Sequence, residues 1–152
     1  MKKFYICLNG IPPFSINKMY YANRKVKTRE AREWSILITE NLKLEENQSS
    51  LQKFRKHFDK SKHCVKVSIR FFYPSFLVLT KENQISTKAH DLSNIEKPLI
   101  DLVFLKNREV QNLEIDDKYI VELNSIKGTS DKNYKIEIEI EIVPIEAILK
   151  AD

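Results

Sequence analysis

The stretch "YKIEIEIEIVP", Tyr134 to Pro144, alternates apolar and polar side chains strictly as far as Ile142. Tyr134, Ile136, Ile138, Ile140 and Ile142 share one face, and Lys135, Glu137, Glu139 and Glu141 share the other. A side-chain period of two predicts a strand with one face buried and one in water. "CVKVSIRFFYP", Cys64 to Pro74, repeats the pattern with Val65, Val67, Ile69 and Phe71 inward. "KFYICLNG" (Lys3–Gly10) reads as a first strand closed by the rigid turn "GIPPFSIN", and "KYIVELNSIKG" (Lys118–Gly128) reads as another.

Helical spacing appears elsewhere. Ala31, Trp34, Ile38 and Leu42 recur at helical intervals after Thr28, which can cap a helix running to about Leu42. A shorter helix is expected from Ser50 to Phe58. "SFLVLT" (Ser75–Thr80) continues the preceding strand or forms its neighbour, and the polar "KENQISTKAH" that follows reads as a loop. Gly occurs only at positions 10 and 128, so Asn, Asp, Ser and Pro must make the turns. Strands and helices mixed without regular alternation predict an α+β fold, a small mixed β-sheet packed with two or three helices.

A length of 152 residues fits one domain over 1–152, with no repeat or linker to divide it. Cys7 and Cys64 are the only cysteines, too few for a disulfide scaffold or a four-thiolate zinc site. Both lie in apolar strand-like runs and are expected to be buried thiols of a reducing compartment. No apolar stretch approaches the ~20 residues of a membrane helix. The N-terminal apolar run is cut short by Asn9 and Pro12-Pro13, unlike a signal peptide, so a cytoplasmic protein is expected.

The net charge of +5 is unevenly spread. "NKMYYANRKVKTRE" carries Lys18, Arg24, Lys25, Lys27 and Arg29 with Tyr20 and Tyr21 interleaved, and "KFRKHFDKSKHCVK" adds Lys53, Arg55, Lys56, Lys60, Lys62 and Lys66. The C-terminal end is acidic. Basic segments set apart from an acidic end form an electrostatic footprint for a phosphate backbone, or equally two solvated faces.

The chemistry concentrates in "HDLSNIEKPLIDLVF", His90 to Phe104, and in "LEIDDKYIVEL" shortly after it. A helix over about Ile95 to Leu105 places Ile95, Leu99 and Leu102 on a core-facing stripe and Asn94, Lys97 and Asp101 on a second. Pro98 fits in its first turn, which leaves Asp91 in the entering loop. Asp91, Asn94 and Lys97 then cluster at a helix N-terminus, which favours a phosphate. Asp116 and Asp117 are expected to begin the next strand, and a return beside the helix lets Asp117 and Asp91 share a divalent cation. Hard carboxylate oxygens select Mg2+ or Mn2+. His57, His63 and His90 show no metal spacing among themselves, and His90, beside Asp91, reads as a surface-loop histidine.

These two blocks, with "GIPPFSINKMYY" at the N-terminus, resemble the RusA family of Holliday-junction endodeoxyribonucleases. Its signature runs roughly Asp-x-Asp-Asn-hydrophobic-x-Lys-x3-Asp, then Asp-Asp-x-x-hydrophobic. The likeness spans residues 4 to about 142, and the segment 43–90 is its least family-like part. The resemblance implies that Asp91 and Asp117 are metal-binding and catalytic, that Asp116 supports the metal, and that Lys97 is the catalytic lysine. Asn94 matches the signature asparagine and Asp101 the acid one helical turn on. One position departs, because Ser93 stands where the family has a second acid, removing a negative charge from the site. The resemblance also implies a homodimer cutting branched DNA symmetrically with Mg2+ or Mn2+, its junction arms held by Arg24, Lys25, Lys27 and Asn94 and by Asn17, whose side chain is expected first of all to close the Pro-Pro turn. Rival expectations are a junction-binding module without chemistry, and a regulatory domain whose basic segments face an acidic protein.

Overall fold

The computed structural model describes residues 2–20, 27–88 and 90–152. Strand β1 (Lys2–Asn9) begins a sheet that β2 (His63–Pro74), β3 (Ile120–Ser130) and β4 (Lys135–Pro144) complete in the order β1-β4-β2-β3. The alternating stretch at 134–144 is therefore an interior strand. Ile138 of β4 pairs with Ile6 on one side and Ile69 on the other, and Ile140 with Phe4 and Val67. These side chains are buried, while Glu137, Glu139 and Glu141 between them are half-exposed. On that wetter face Arg70 meets Glu137 at 3.0 Å and Glu139 at 3.9 Å, so cross-strand charges offset one another.

β1 and β2 run antiparallel to β4, whereas β3 runs parallel to β2. A parallel neighbour needs a crossover, and the chain between β2 and β3 supplies it with a helix. The sheet is mixed, and the fold is α+β as expected.

Helix α1 (Arg29–Leu42) begins where expected, with the Thr28 hydroxyl accepting from the Ala31 N–H at 3.1 Å. Ala31, Trp34, Ile38 and Leu42 are all buried in the core. Helix α2 (Glu45–His57) starts earlier than Ser50, because Glu45 and Glu46 suit the positive end of its dipole. Its buried Asn47 accepts from the Cys7 N–H at 3.0 Å and donates to the Cys7 carbonyl at 2.9 Å. That side chain serves the outer edge of β1 as a neighbouring strand would. Cys64 is buried as expected, but Cys7 is only partly so.

"SFLVLT" is not a strand. Pro74 cannot extend the ladder, and Ser75–Val78 folds as a single helical turn, α3, before Leu79 bridges Ile85. Helix α4 (Leu92–Phe104) starts three residues before the expected Ile95, so Pro98 lies inside it rather than in its first turn. The missing N–H and ring clash cost roughly 3 kcal/mol in a free helix. Here Pro98 is itself buried, and Ile95, Leu99, Ile100, Val103 and Phe104 anchor the same helix in the core.

After α4 the chain turns back along the helix end. The Leu113 and Ile115 N–H groups donate to the carbonyls of Val103 and Phe104 at 3.0 and 2.9 Å, satisfying acceptors that a helix end leaves orphaned. Asn112 is fully buried; its amide donates to the Leu102 carbonyl at 2.8 Å and also to the Leu105 carbonyl. Its side-chain oxygen accepts from the Glu114 N–H at 3.0 Å, and Glu114 takes the left-handed conformation at φ 57°. No helix among the described residues is long and apolar enough to cross a membrane.

Three stability measurements check this packing. Ile138→Ala should cost about 2–5 kcal/mol in urea unfolding. Glu139→Ala on the wetter face should cost about 1 kcal/mol or less. Asn112→Ala should cost at least about 1–3 kcal/mol, because it orphans buried carbonyls and an N–H together.

Candidate active site

Lys97 lies on the exposed side of α4, and its ammonium is shared between two carboxylates. Nζ stands 2.9 Å from Oδ1 of Asp101, one helical turn on, and donates to Oδ2 of Asp117 at 3.1 Å. The Asp101 contact is an ion pair outside hydrogen-bond geometry, and that oxygen is buried. Asp117 comes from the far side of the return loop, so the lysine ties α4 to the approach of β3.

Asp116 and Asp117 precede β3 rather than opening it. The Asp116 carboxylate accepts from the Lys118 N–H at 2.9 Å and caps a 3-10 turn over Asp117–Tyr119. An aspartate that bonds the backbone two residues on favours a turn over an extended chain. Lys97, Asp117, Ile120 and Glu122 line a shallow cleft of about 300 Å3 beside this turn.

The electrostatics follow from the shared ammonium. The Asp101 contact first, then the Asp117 hydrogen bond, raise Lys97 above the ordinary lysine value. The same bond from Lys97 lowers Asp117 below the usual carboxylate range. Lys97 is therefore a fixed positive charge at neutral pH and not a proton acceptor.

Asp91 occupies the N-cap position of α4, yet its carboxylate accepts no capping hydrogen bond and is exposed. Ser93 is exposed in the first turn and Asn94 half-exposed. No ion pair or hydrogen bond joins the Asp91 side chain to Lys97, Asp101 or Asp117. Among the described residues no three of His, Cys, Asp or Glu gather closely enough to hold a metal ion, so Asp91, Asp116 and Asp117 do not form a three-carboxylate set. The donor chemistry still suits a hard divalent cation: Asp91 is an exposed carboxylate with no ion pair or hydrogen bond among the described residues, and Asp117 is held ionised at the surface. Mg2+ often takes only one or two carboxylates, leaving its other positions to water and substrate phosphates.

His90, expected as a plain surface-loop residue, is partly buried, and its Nδ1 stands 3.1 Å from the Tyr73 hydroxyl. Burial pushes the Tyr73 phenol up to about 12. Burial, then the charges of Lys18 and Lys127, lowers the His90 imidazole. Asn17 was expected to close the Pro-Pro turn with its own side chain. Instead the Ser15 hydroxyl accepts from the Asn17 N–H at 3.2 Å, leaving the exposed Asn17 side chain outside the turn's bonding. Lys27 is exposed and bridges Tyr20 through the backbone. Arg24 and Lys25, with Tyr21, lie outside the described residues.

Sequence reasoning missed Asn112 and Tyr73, which position the site. An asparagine in a polar loop looks like an ordinary turn residue, and its local sequence carries no sign of burial. Tyr73 sits on the alternating face of β2 and reads simply as core.

Residues 11–141 match the family model described as Endodeoxyribonuclease RusA. No curated protein matches the chain. The match takes in both acidic blocks, with Lys97 in the first, and by it the chain belongs to the RusA family of endodeoxyribonucleases.

Proposed function

We propose that the protein is a metal-dependent endonuclease that resolves four-way DNA junctions by phosphodiester hydrolysis, acting as a homodimer in the cytoplasm. The observation that carries this reading is the Lys97 ammonium held between Asp101 and Asp117, residues brought together from α4 and the turn before β3. Asp91 and Asp117 would hold Mg2+ or Mn2+, with Asp116 supporting. An ion held there supplies Lewis acidity toward a phosphate oxygen and toward water.

The chain's own residues do the rest. Lys97, permanently charged, neutralises the charge that builds on the phosphate or on the leaving oxygen. Asp101 and Asp117 restrict the rotamers of a long flexible side chain and aim its charge. Asn94 at the helix start, together with Asn17, Lys27, Arg24 and Lys25, would hold the junction arms. Two copies would place two such sites against opposing strands.

A second reading has its own observation. Ser93, neutral and exposed at the second residue of α4, stands where the family carries an acid. With one negative charge fewer, the protein would grip junctions without cutting them.

Cleavage of a labelled synthetic junction in Mg2+ or Mn2+ tests both. Asp117→Asn should slow cutting at least about 100-fold, the scale seen when a fixed transition-state contact is removed. Equal rates in the two proteins, or cutting in a chelator, would refute the nuclease reading. If the parent protein binds junctions but leaves no product and Ser93→Asp restores cutting, the binding-module reading holds. A parent that cuts as fast as Ser93→Asp removes that reading.

The Lys97–Asp117 link also sets a pH window. A raised lysine contributes stability that is complete below its unfolded value near 10.4 and is lost as pH rises through its folded value. A lowered aspartate contributes stability that is complete above its unfolded value near 3.9 and is lost as pH falls through its folded value. The stability difference between the parent and Lys97→Met, followed by urea unfolding, should therefore be flat from about pH 5 to 9 and shrink on either side.

A further inference from the structure

The turn that carries Asp117 toward Lys97 has a second side. Asp116, Lys118 and Tyr119 line a groove of about 410 Å3 together with Arg55, Phe58 and Lys60, from the end of α2 and the turn after it. The groove and the Lys97 cleft thus share one short turn, and the neighbouring residues Asp116 and Asp117 belong one to each. A volume of this size falls within the range of small-ligand sites.

Its lining sets three aromatic rings and three basic side chains beside Leu113, Ile115 and the carboxylates of Glu114 and Asp116. Phe58 stacks on the buried Phe54 with centroids 5.3 Å apart, and Tyr119 meets the Phe58 ring edge-on at 5.5 Å. These rings lead from the core out to the half-exposed Tyr119. The Lys118 ammonium lies 5.5 Å from the Tyr119 centroid. Arg55 is tied down, donating to the Asn112 carbonyl, whereas Lys60 and Lys118 are exposed and enter no ion pair among the described residues. Two unpaired cations beside a half-exposed aromatic ring suit a ligand with both a backbone of negative charge and a flat face. The basic segment that begins at Lys53, for which the nuclease site has no use, supplies one wall.

We infer that this groove holds an unpaired nucleotide of the DNA strand being cut, its base against Tyr119 and Phe58 and its backbone phosphate between Lys60 and Lys118. The inference rests on the endonuclease reading and adds the path of the strand next to the scissile phosphate. A junction frees such nucleotides at its branch point, where pairing is interrupted.

The test is fluorescence anisotropy of a short oligothymidylate, and of an abasic strand of equal length, with the full chain in chelator. The parent protein should bind the oligothymidylate at least about fivefold tighter, the lower end of what one base on an aromatic ring contributes. Tyr119→Phe should keep that preference and Tyr119→Leu should lose it. The exposed-residue double variant Lys60→Glu, Lys118→Glu should weaken both strands at least about tenfold, with a shallower salt dependence. Equal binding of the two strands by the parent protein, or a preference that survives Tyr119→Leu, overturns the inference. Polyglutamate competing as well as oligothymidylate overturns it in favour of an acidic protein partner. Asp117→Asn separates the two readings: it should abolish junction cutting while the strand preference stays. If no metal supports cutting yet the preference still depends on Tyr119, the groove stands and the endonuclease reading falls.

Discussion

The return of the chain along the end of α4 is the constraint on which the site depends. A helix leaves its last carbonyls without partners, and this helix ends against the core where water cannot reach all of them. Asn112, Leu113 and Ile115 satisfy carbonyls from Leu102 to Leu105, and in doing so they lay residues 112–117 alongside the helix. The backbone accounting and the chemistry are thus one arrangement: the hydrogen bonds that close α4 deliver Asp117 to Lys97. Asn112 is buried and bonded on both sides of its amide, so the loop has little freedom to take another path. Glu114, held at positive φ beside it, is the strained residue through which the chain makes this turn.

The acidic alternation of β4 is partly offset on its own face, where Arg70 reaches Glu137 and Glu139 and Lys135 reaches Glu137 at 3.0 Å. The carboxylates near α4 are fewer and are focused on one ammonium. A lysine flanked by two carboxylates keeps its charge and its direction, and that suits it to stabilising an anion rather than moving a proton. The price is local crowding of negative charge around Asp116 and Asp117, which Lys97 partly relieves.

Much of the fold is legible in the chain because one-sided burial leaves a period. β4, β2 and α1 each carry it over enough residues that no other element fits, and Thr28 marks the start of α1 by its capping chemistry. The short or contradictory segments are not legible. "SFLVLT" is apolar enough for a strand, but Pro74 ends the ladder before it. Pro98 argues for a late helix start, yet the packing of Ile95, Leu99 and Val103 outweighs the backbone cost. The aspartate pair looks like the opening of a strand, whereas the Asp116 side chain bends it into a turn.

The sequence by itself determined the residue types of the site, their spacing in two blocks, and the strands of the sheet behind them, because periodicity and local capping act over a few neighbouring residues. Only the tertiary structure decided which of those residues meet. It joins Lys97 to Asp101 and Asp117, leaves Asp91 without a partner among the described residues at the helix start, and opens an aromatic groove behind the same turn. Those outcomes depend on how the end of α4, buried Asn112 and the last turn of α2 pack together, and such long-range contacts leave no pattern in the local sequence.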